Sequence, residues 1–441
     1  MSKRYTFFRM PNGKPYRGLD EKYAPVHVLS RIGETASLNE AGDVSWQGGL
    51  MFLLEATLRP AFVVMSLEDY ELNETDTWRI VWEAIVASAK NTPGKPINPM
   101  DVLRRADESV AAFFRTSPAN YVLVTSLSLV NLPAKNIKVL GSTISSLTAR
   151  GKRFPIPDFL AVQSTRSPLA EHIRSTKYLS VKVRTRGRSI YDAYSNALNS
   201  LNLLRGLWSL VAKYRSWTVR YGTLSRDPIG VIHTGPICTL HLPNGKLAEG
   251  DVICYDPAYT GDQPIFQDSH GWKQIEKNRR WASRRLATLE FGRDLEALLM
   301  RYASALDHAD TDVAFLQMWS LLERITDTVG RPYDETIERT VWPFSHQQRP
   351  LYRDMLESLR CRRNEYVHSG KAGQESDQAA YLVKYFVDPH LWTLISNPFK
   401  VRSLEEYGQL LALPTDATML KQKQGMLLKA LQFRQKKKDP G

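Results

Sequence analysis

The sequence predicts an α+β region in residues 1–270 followed by an all-α helical bundle in residues 271–441. Short or alternating apolar runs, which are typical of β-strands, stop near residue 270. Beyond that point apolar residues recur every three or four positions, as on the buried face of a helix. A chain of 441 residues is also too long for one ordinary core, so two or three domains are expected.

The first region mixes strand and helix signals. Residues 1–60 should be irregular with short strands. One helix should follow a cap at Thr75 or Asp76 and a second should follow Asn98, while a third should run from about Ser189 to Tyr214. The predicted strands are Tyr5–Arg9, Ala61–Leu67, Tyr121–Val130, Asn136–Leu147, Tyr178–Arg184, Gly230–His233, Pro236–Leu242 and Asp251–Tyr255.

The second region reads as consecutive helices joined by short loops, which favours a bundle. The predicted helices are Trp272–Glu290, Arg293–Leu306, Asp312–Thr328, Thr336–Val341, Leu351–Ser369, Asp377–Leu394, Leu404–Ala412 and Thr418–Gln432. Asp310 or Thr311 should cap the third of these. Lys436–Lys438 belongs to a basic tail.

Composition narrows the classes of partner. The formal charge of +13 favours a polyanion, most simply nucleic acid, or an anionic membrane surface; solubility alone is the alternative explanation. No apolar stretch approaches a membrane span, and we expect no signal peptide and no membrane partner. Three cysteines form no disulfide framework, which fits a reducing, cytoplasmic location.

Metal and cofactor chemistry is not expected. His233, Cys238, His241 and Cys254 invite a zinc site, but Cys238 and His241 should face opposite sides of one strand. The acidic run at 307–312 is explained by helix capping. The sequence contains neither a glycine-rich phosphate loop nor a nucleophile elbow.

The end of the helix Leu351–Ser369 carries the most suggestive chemistry. Asn364 and His368 are four residues apart, within about 40° on a helix, and the long side chain of Arg363 can swing toward them. A histidine can move the proton of an RNA 2′-hydroxyl, and an arginine can hold the phosphate oxygens. One helix supplies one histidine, so a general acid and base would require a second copy.

Other basic residues are candidates for RNA binding. Arg360 and Arg362 precede the motif, and Lys277, Arg280 and Arg284 lie on a basic helix that also carries Trp272 and Trp281. For that helix, a solvated face with core tryptophans is the competing interpretation. Glu323 is expected either to face the motif or to lie in solvent.

The segment Arg363-Asn364-Glu365-Tyr366-Val367-His368 resembles the R-N-x-x-x-H motif of the HEPN superfamily. Ser369-Gly370 and the helix with Trp319, Leu322 and Glu323 are similar to its Apea-like branch. This resemblance implies a HEPN-like bundle and a metal-independent endoribonuclease, acting as a homodimer and leaving 2′,3′-cyclic phosphate ends. It further implies catalytic roles for Arg363 and His368, an orienting role for Asn364, and association with bacterial toxin or antiphage defence systems.

Two other classes of function remain open at this point. Some HEPN relatives keep the fold without cleavage, so a non-catalytic dimerisation and RNA- or partner-binding module is the main alternative. A DNA-binding regulator is a third, suggested by the net charge alone. Residues 1–270 are expected to act as a sensor or to select the substrate.

Overall fold

The structure is a computed structural model that describes residues 5–9, 15–16, 24–46, 55–64, 72–147, 154, 177–212, 229–248, 253–255, 265–266, 271–369 and 376–436. Strands and helices mix in the N-terminal half, and the C-terminal half is mostly helical. This division confirms the α+β region followed by helices. In the described part of the chain, no helix combines the length and the apolar character needed to cross a bilayer.

The N-terminal end forms a small unit with a core of its own, contributed by residues between Leu29 and Phe113. Strands β1, β2 and β5 form an antiparallel sheet in the order β2-β1-β5, and β3 pairs with β4. Its elements are β1 (Thr6–Arg9), β2 (Pro15–Tyr16), α1 (Ala24–Glu34), β3 (Ala36–Leu38), β4 (Val44–Trp46), β5 (Phe62–Val64), α2 (Glu74–Asn91) and α3 (Pro99–Arg115). The buried carboxylate of Asp107 on α3 accepts the backbone N–H groups of Tyr5 and Thr6, so it holds β1 against the helix.

A six-stranded antiparallel sheet follows, in the order β11-β10-β6-β9-β8-β7. Its longest pairing joins β6 and β9 over nine residues, from Ala119 opposite Gly187 to Leu127 opposite Leu179. The strands are β6 (Ala119–Leu127), β7 (Ile137–Val139), β8 (Ser142–Ser146), β9 (Leu179–Gly187), β10 (Ile237–His241) and β11 (Ile253–Tyr255). Helix α4 (Ile190–Val211) packs one face on this sheet.

Eight helices are described in the C-terminal part, and a tight cluster of them surrounds the main core. They are α5 (Trp272–Leu286), α6 (Gly292–Asp307), α7 (Thr311–Ile325), α8 (Tyr333–Val341), α9 (Arg349–Ser369), α10 (Ser376–Ser396), α11 (Leu404–Leu411) and α12 (Ala417–Lys436). Asp310 caps α7, as predicted, by accepting the N–H groups of Asp312 and Val313. Helix α12 leaves Met426, Leu427 and other apolar side chains more than half exposed.

The main hydrophobic core contains residues from both sides of residue 270. It includes Leu123 and Val183 of the sheet, Leu204 of α4, and helix residues such as Leu299. Helix α4 packs on the sheet with one face and on α5 and α6 with another. The domain boundary at 270 therefore stays a prediction: the change from strand to helix falls there, but the buried core does not divide there.

Four predicted elements were wrong in detail. Helix α1 replaces irregular chain within residues 1–60, and residues 230–233 form no strand. The predicted strand Asn136–Leu147 is a hairpin, because Leu140 and Gly141 both have positive φ, as a tight two-residue turn requires. The predicted helix Trp272–Glu290 ends at Leu286, where turns lead into α6.

The cap of α2 was also misplaced. Asn73, whose side chain accepts the N–H of Asp76, replaces Thr75 or Asp76 as the cap. Asp76 lies inside the helix and accepts the hydroxyl of Ser189, the capping residue of α4. This contact ties the small N-terminal unit to the start of the helix on the sheet.

Two buried polar networks stabilise the helical part. Asp388 on α10 accepts hydrogen bonds from the Tyr302 hydroxyl at 2.8 Å and from Lys384 Nζ at 2.7 Å. His390 contacts the Tyr407 hydroxyl at 2.8 Å through Nδ1 and the Thr340 carbonyl at 3.0 Å through Nε2. Because both networks satisfy their buried polar groups, they fix the relative positions of α6, α8, α10 and α11.

Candidate functional site

Arg363 on α9 is held by an aromatic ring. Its guanidinium carbon lies 5.0 Å from the centre of the Tyr333 ring, and Tyr333 is the first residue of α8. Nη1 of the same arginine lies 3.3 Å from Oδ1 of Asn364. Among the residues that the structure describes, no carboxylate lies within ion-pairing distance of Arg363. Its positive charge is therefore held in place without an ion pair to any residue that the structure describes.

Glu323 on α7 lies in the same cluster. Its carboxylate accepts the indole N–H of Trp319 at 3.0 Å, and the Trp319 ring lies 6.4 Å from the Tyr333 ring. Burial raises the pKa of Glu323, and the Trp319 hydrogen bond and the Arg363 charge oppose that rise. The Glu323 side chain is half-buried and its charge interacts with that of Arg363, but its hydrogen bond goes to Trp319 rather than to an arginine.

His368 lies in the last turn of α9, at the position that the sequence predicts. Its side chain lies outside the described residues, as does Gly370. The backbone alone places His368 four residues beyond Asn364 on a continuous helix, a spacing that puts the two positions on the same side. Arg363, Asn364 and the His368 backbone thus share the C-terminal end of one helix.

The two arginines that precede the motif face acidic side chains of this chain. Arg360 lies 3.1 Å from Asp334 and 2.7 Å from Glu357, and Arg362 lies 3.6 Å from Asp312. RNA phosphates would have to compete with these carboxylates. Arg363 differs from both neighbours, since it forms no ion pair with a described residue.

The second predicted RNA-binding group lies on α5. Lys273, Lys277, Arg280 and Arg284 fall within about 60° of one another around the helix axis and extend over about 16 Å. All four are exposed, and we refer to them as the basic stripe. Arg280 lies 2.9 Å from Glu276, whereas the other three form no ion pair with any described residue.

The two tryptophans of α5 have different environments. Trp272 packs against Trp208 and Phe266, with ring centres 5.0 and 5.3 Å apart, so it belongs to the core. Trp281 is 37% exposed and lies 5.8 Å from Trp392 of α10, with 35° between the ring planes. Of the two, only Trp281 stands beside the basic stripe on the surface.

The described side chains that the sequence suggests as zinc ligands form hydrogen bonds with other groups. His241 uses Nε2 toward the Thr239 hydroxyl and Nδ1 toward the Gly245 carbonyl, and the Cys238 thiol donates to Thr125. His233 contacts the Gly230 carbonyl through Nε2. The Cys254 side chain is not described, and no group of three or more potential ligands comes together among the described residues.

Sequence reasoning missed Tyr333 and Trp392. The sequence prediction placed Tyr333 in a connector between helices, because the predicted short helix began at Thr336 rather than at Tyr333. The acidic residues Asp334 and Glu335 immediately after it are the usual signal of a helix start. Trp392 lies on a predicted helix, but nothing in one sequence says that it meets Trp281.

Comparisons with families of known proteins, with curated proteins and with solved structures find no match to this chain.

Proposed function

We propose that the chain is a metal-independent endoribonuclease of HEPN type that acts as a homodimer. The observation that supports this most is Arg363: it is fixed over Tyr333, carries no ion pair with a described residue, and lies five residues before His368 on the same helix. A guanidinium fixed in place can stabilise the negative charge that develops in phosphoryl transfer.

The reaction follows from the chemistry of RNA. His368 of one protomer takes the proton of the 2′-hydroxyl, and the 2′-oxygen attacks the adjacent phosphorus. Arg363 binds the non-bridging oxygens as their charge grows. The 5′-oxygen leaves with a proton from the histidine of the second protomer, giving a 2′,3′-cyclic phosphate and a 5′-hydroxyl. Asn364 orients Arg363 through its side-chain oxygen.

The supporting residues account for the remaining features of the cluster. Tyr333 and Glu323 position Arg363, one from the ring face and one through charge. Lys277, Arg280 and Arg284 bind the phosphate backbone at a distance from the motif, and Arg360 and Arg362 contribute once RNA displaces their carboxylates. The cellular context that we propose is a cytoplasmic toxin or antiphage defence system.

A direct test uses end-labelled RNA and purified protein in EDTA. The wild-type chain should cleave the RNA and leave cyclic phosphate ends, and Arg363→Ala and His368→Ala should each lower the rate at least about a hundredfold. His346→Ala, which removes an exposed histidine outside the motif, should cleave normally. Loss of cleavage in EDTA, or full activity of His368→Ala, would remove the proposal.

The homodimer is tested separately. Wild-type chains mixed with an excess of His368→Ala chains should lose more activity than dilution explains, because mixed dimers lack one of the two histidines. Activity that simply follows the amount of wild-type chain would show that one protomer suffices.

One observation favours the non-catalytic alternative, a dimerisation and partner-binding module. Helix α12 exposes Met426, Leu427 and Leu431 by more than half, and apolar surface of this kind is commonly covered by a partner. RNA binding without cleavage, together with a dimer that persists in Arg363→Ala and His368→Ala, would support that module.

A further inference from the structure

Trp281 is an unusual residue on the surface of α5. The residue is 37% exposed, so part of this large aromatic side chain lies at the surface although most of its area is buried. It packs against Trp392 of α10, which is itself partly buried against the main core. The ring is therefore fixed at the surface by an aromatic neighbour while part of its area stays open to solvent.

Three exposed basic residues lie close to Trp281 in the sequence of α5. Arg280 and Arg284 of the basic stripe lie one residue before it and three residues after it, and Lys277 lies four residues before it. The inner face of α5 is made by buried residues such as Ile275, Ala282 and Leu286. The exposed aromatic ring and the basic stripe thus share the outer side of one helix.

A rigid support holds this surface. Glu276 is buried, and both Arg279 and Arg280 donate to it, at 2.7 and 2.9 Å. Burial opposes ionisation of Glu276, but these hydrogen bonds outweigh it and lower its pKa. At the other end of the helix, Arg285 donates to the Ser396 carbonyl of α10 at 3.1 Å. Helices α5 and α10 are therefore joined by this hydrogen bond and by the Trp281–Trp392 pair, while the contacts of Arg279 and Arg280 with Glu276 lie within α5.

We propose that Trp281, supported by Trp392, is a base-stacking platform that selects single-stranded RNA, with the basic stripe following its phosphates. A planar aromatic ring next to regularly spaced cations matches a nucleic acid whose bases are unpaired and free to stack. In a duplex the bases are already stacked on one another, so only the phosphates would be recognised. The choice of RNA rests on the proposed function; the choice of single strands rests on Trp281.

The test measures binding rather than cleavage. A fluorescent, unstructured oligonucleotide with 2′-O-methyl groups has no 2′-hydroxyl to attack, so the full-length chain can bind it without cutting it. Trp281→Ala should weaken its binding at least about fivefold, and Trp281→Phe should retain most of it. Trp78→Ala is the matched control, because Trp78 is also half-buried beside another tryptophan, 5.6 Å away, but lies in the N-terminal unit.

Salt dependence separates stacking from charge. Lys277→Gln and Arg284→Gln should each lower the slope of log affinity against log salt by about 0.7, whereas Trp281→Ala should lower affinity without changing the slope. Inorganic polyphosphate, which has charge but no bases, should bind Trp281→Ala and wild type equally. A matched 2′-O-methyl duplex should also bind both equally.

Three results would overturn the platform. They are unchanged affinity of Trp281→Ala for the single strand, an equal loss for polyphosphate, and equally tight binding of duplex and single strand by the wild type. Because the probe cannot be cleaved, these results are readable whether or not the chain proves to be a ribonuclease. Failure of the cleavage test with intact Trp281-dependent binding would remove the proposed catalysis and leave the platform standing.

Discussion

The guanidinium of Arg363 lies over the ring of Tyr333, 5.0 Å from its centre, so a residue of the predicted motif is held by a side chain from a different helix. A charge–ring contact of this kind restricts where the guanidinium points without taking up its hydrogen-bond donors. Among the described residues, only Asn364 accepts a hydrogen bond from Arg363, through Nη1. The contact explains why α8, a helix of only nine residues, matters to the end of α9.

Replacing Tyr333 should therefore affect Arg363 without removing it. Tyr333→Leu should reduce RNA cleavage about three- to thirtyfold, as expected for the loss of about 0.5–2 kcal/mol from a cation–ring contact. Tyr333→Phe keeps the ring and should restore most of the rate. The loss should appear in kcat rather than in KM, which distinguishes positioning of Arg363 from loss of RNA affinity. Equal losses in the Leu and Phe variants would contradict this role.

His390 should make the protein less stable in acid. Burial lowers its pKa from 6.5 to about 4, so the folded chain keeps the ring neutral while the unfolded chain protonates it. The unfolded state then binds more protons between these two values, and the free energy of unfolding falls as pH falls from about 6.5 to 4. The expected loss from this residue is about 3 kcal/mol between pH 7 and pH 4.

Chemical unfolding of wild type and His390→Gln across this range measures the effect. Glutamine keeps a polar group toward Thr340 or Tyr407 but does not titrate. The variant should be less stable than wild type at pH 7, and the difference should shrink toward pH 4. A constant difference across the range would show that His390 does not titrate as its burial predicts.

Arg205 and Asp307 form a two-pronged ion pair between α4 and the end of α6, with both nitrogen–oxygen distances at 2.7 Å. Burial raises the pKa of Asp307, but the charges and hydrogen bonds of Arg205 and His233 together outweigh it and leave the pKa below its ordinary value. Arg205→Met should lower the free energy of unfolding by about 2–3 kcal/mol, less than for a fully buried pair because Asp307 keeps some solvent contact. The double variant with Asp307→Leu should be more stable than Arg205→Met alone. A double variant that merely adds the two losses would show that the residues are not coupled.

Gly206 and Gly425 make a matched pair of helical glycines. A Cβ at Gly206 would collide with the Leu299 carbonyl oxygen of α6, whereas nothing lies within 4 Å of one at Gly425. Gly206→Ala should destabilise the chain by about 1–3 kcal/mol through overpacking. Gly425→Ala should instead raise the helicity of α12, by up to about 1 kcal/mol in local helix stability. Circular dichroism and thermal unfolding of both variants check the contrast; equal effects would show that α4 and α6 do not pack closely at Gly206.

The spacing of apolar residues predicted most of the helices in the C-terminal part of the chain. The bounds of α9, α10 and α11 lie within a few residues of those that the apolar spacing predicts, and Asn98 and Asp310 cap the helices expected of them. The hairpin of β7 and β8 was hidden because Leu140 occupies a left-handed position that favours glycine or asparagine. The core that continues through residue 270 was also hidden, since periodicity locates a buried face but not its partner.

One part of the candidate site likewise follows from sequence spacing, and another part does not. Arg363, Asn364 and His368 are neighbours on one helix, so their common location follows from sequence spacing. The ring under Arg363, the carboxylate of Glu323 near it, and the support of Trp281 by Trp392 all come from helices distant in sequence. Contacts of that kind depend on how helices cross, which one sequence does not encode in any short pattern.

Helix α4 belongs to both halves of the chain, because it covers the sheet with one face and touches α5 and α6 with another. Replacing the first 270 residues with an unrelated sequence would therefore remove the contacts that α4 makes with α5 and α6. Fragments cut at residue 270 should expose the apolar residues that α4 covers, and they should precipitate. A cut before β6 keeps α4 in the same fragment as the helices that it covers. We therefore expect the sheet, α4 and the C-terminal helices to be inherited together as one unit.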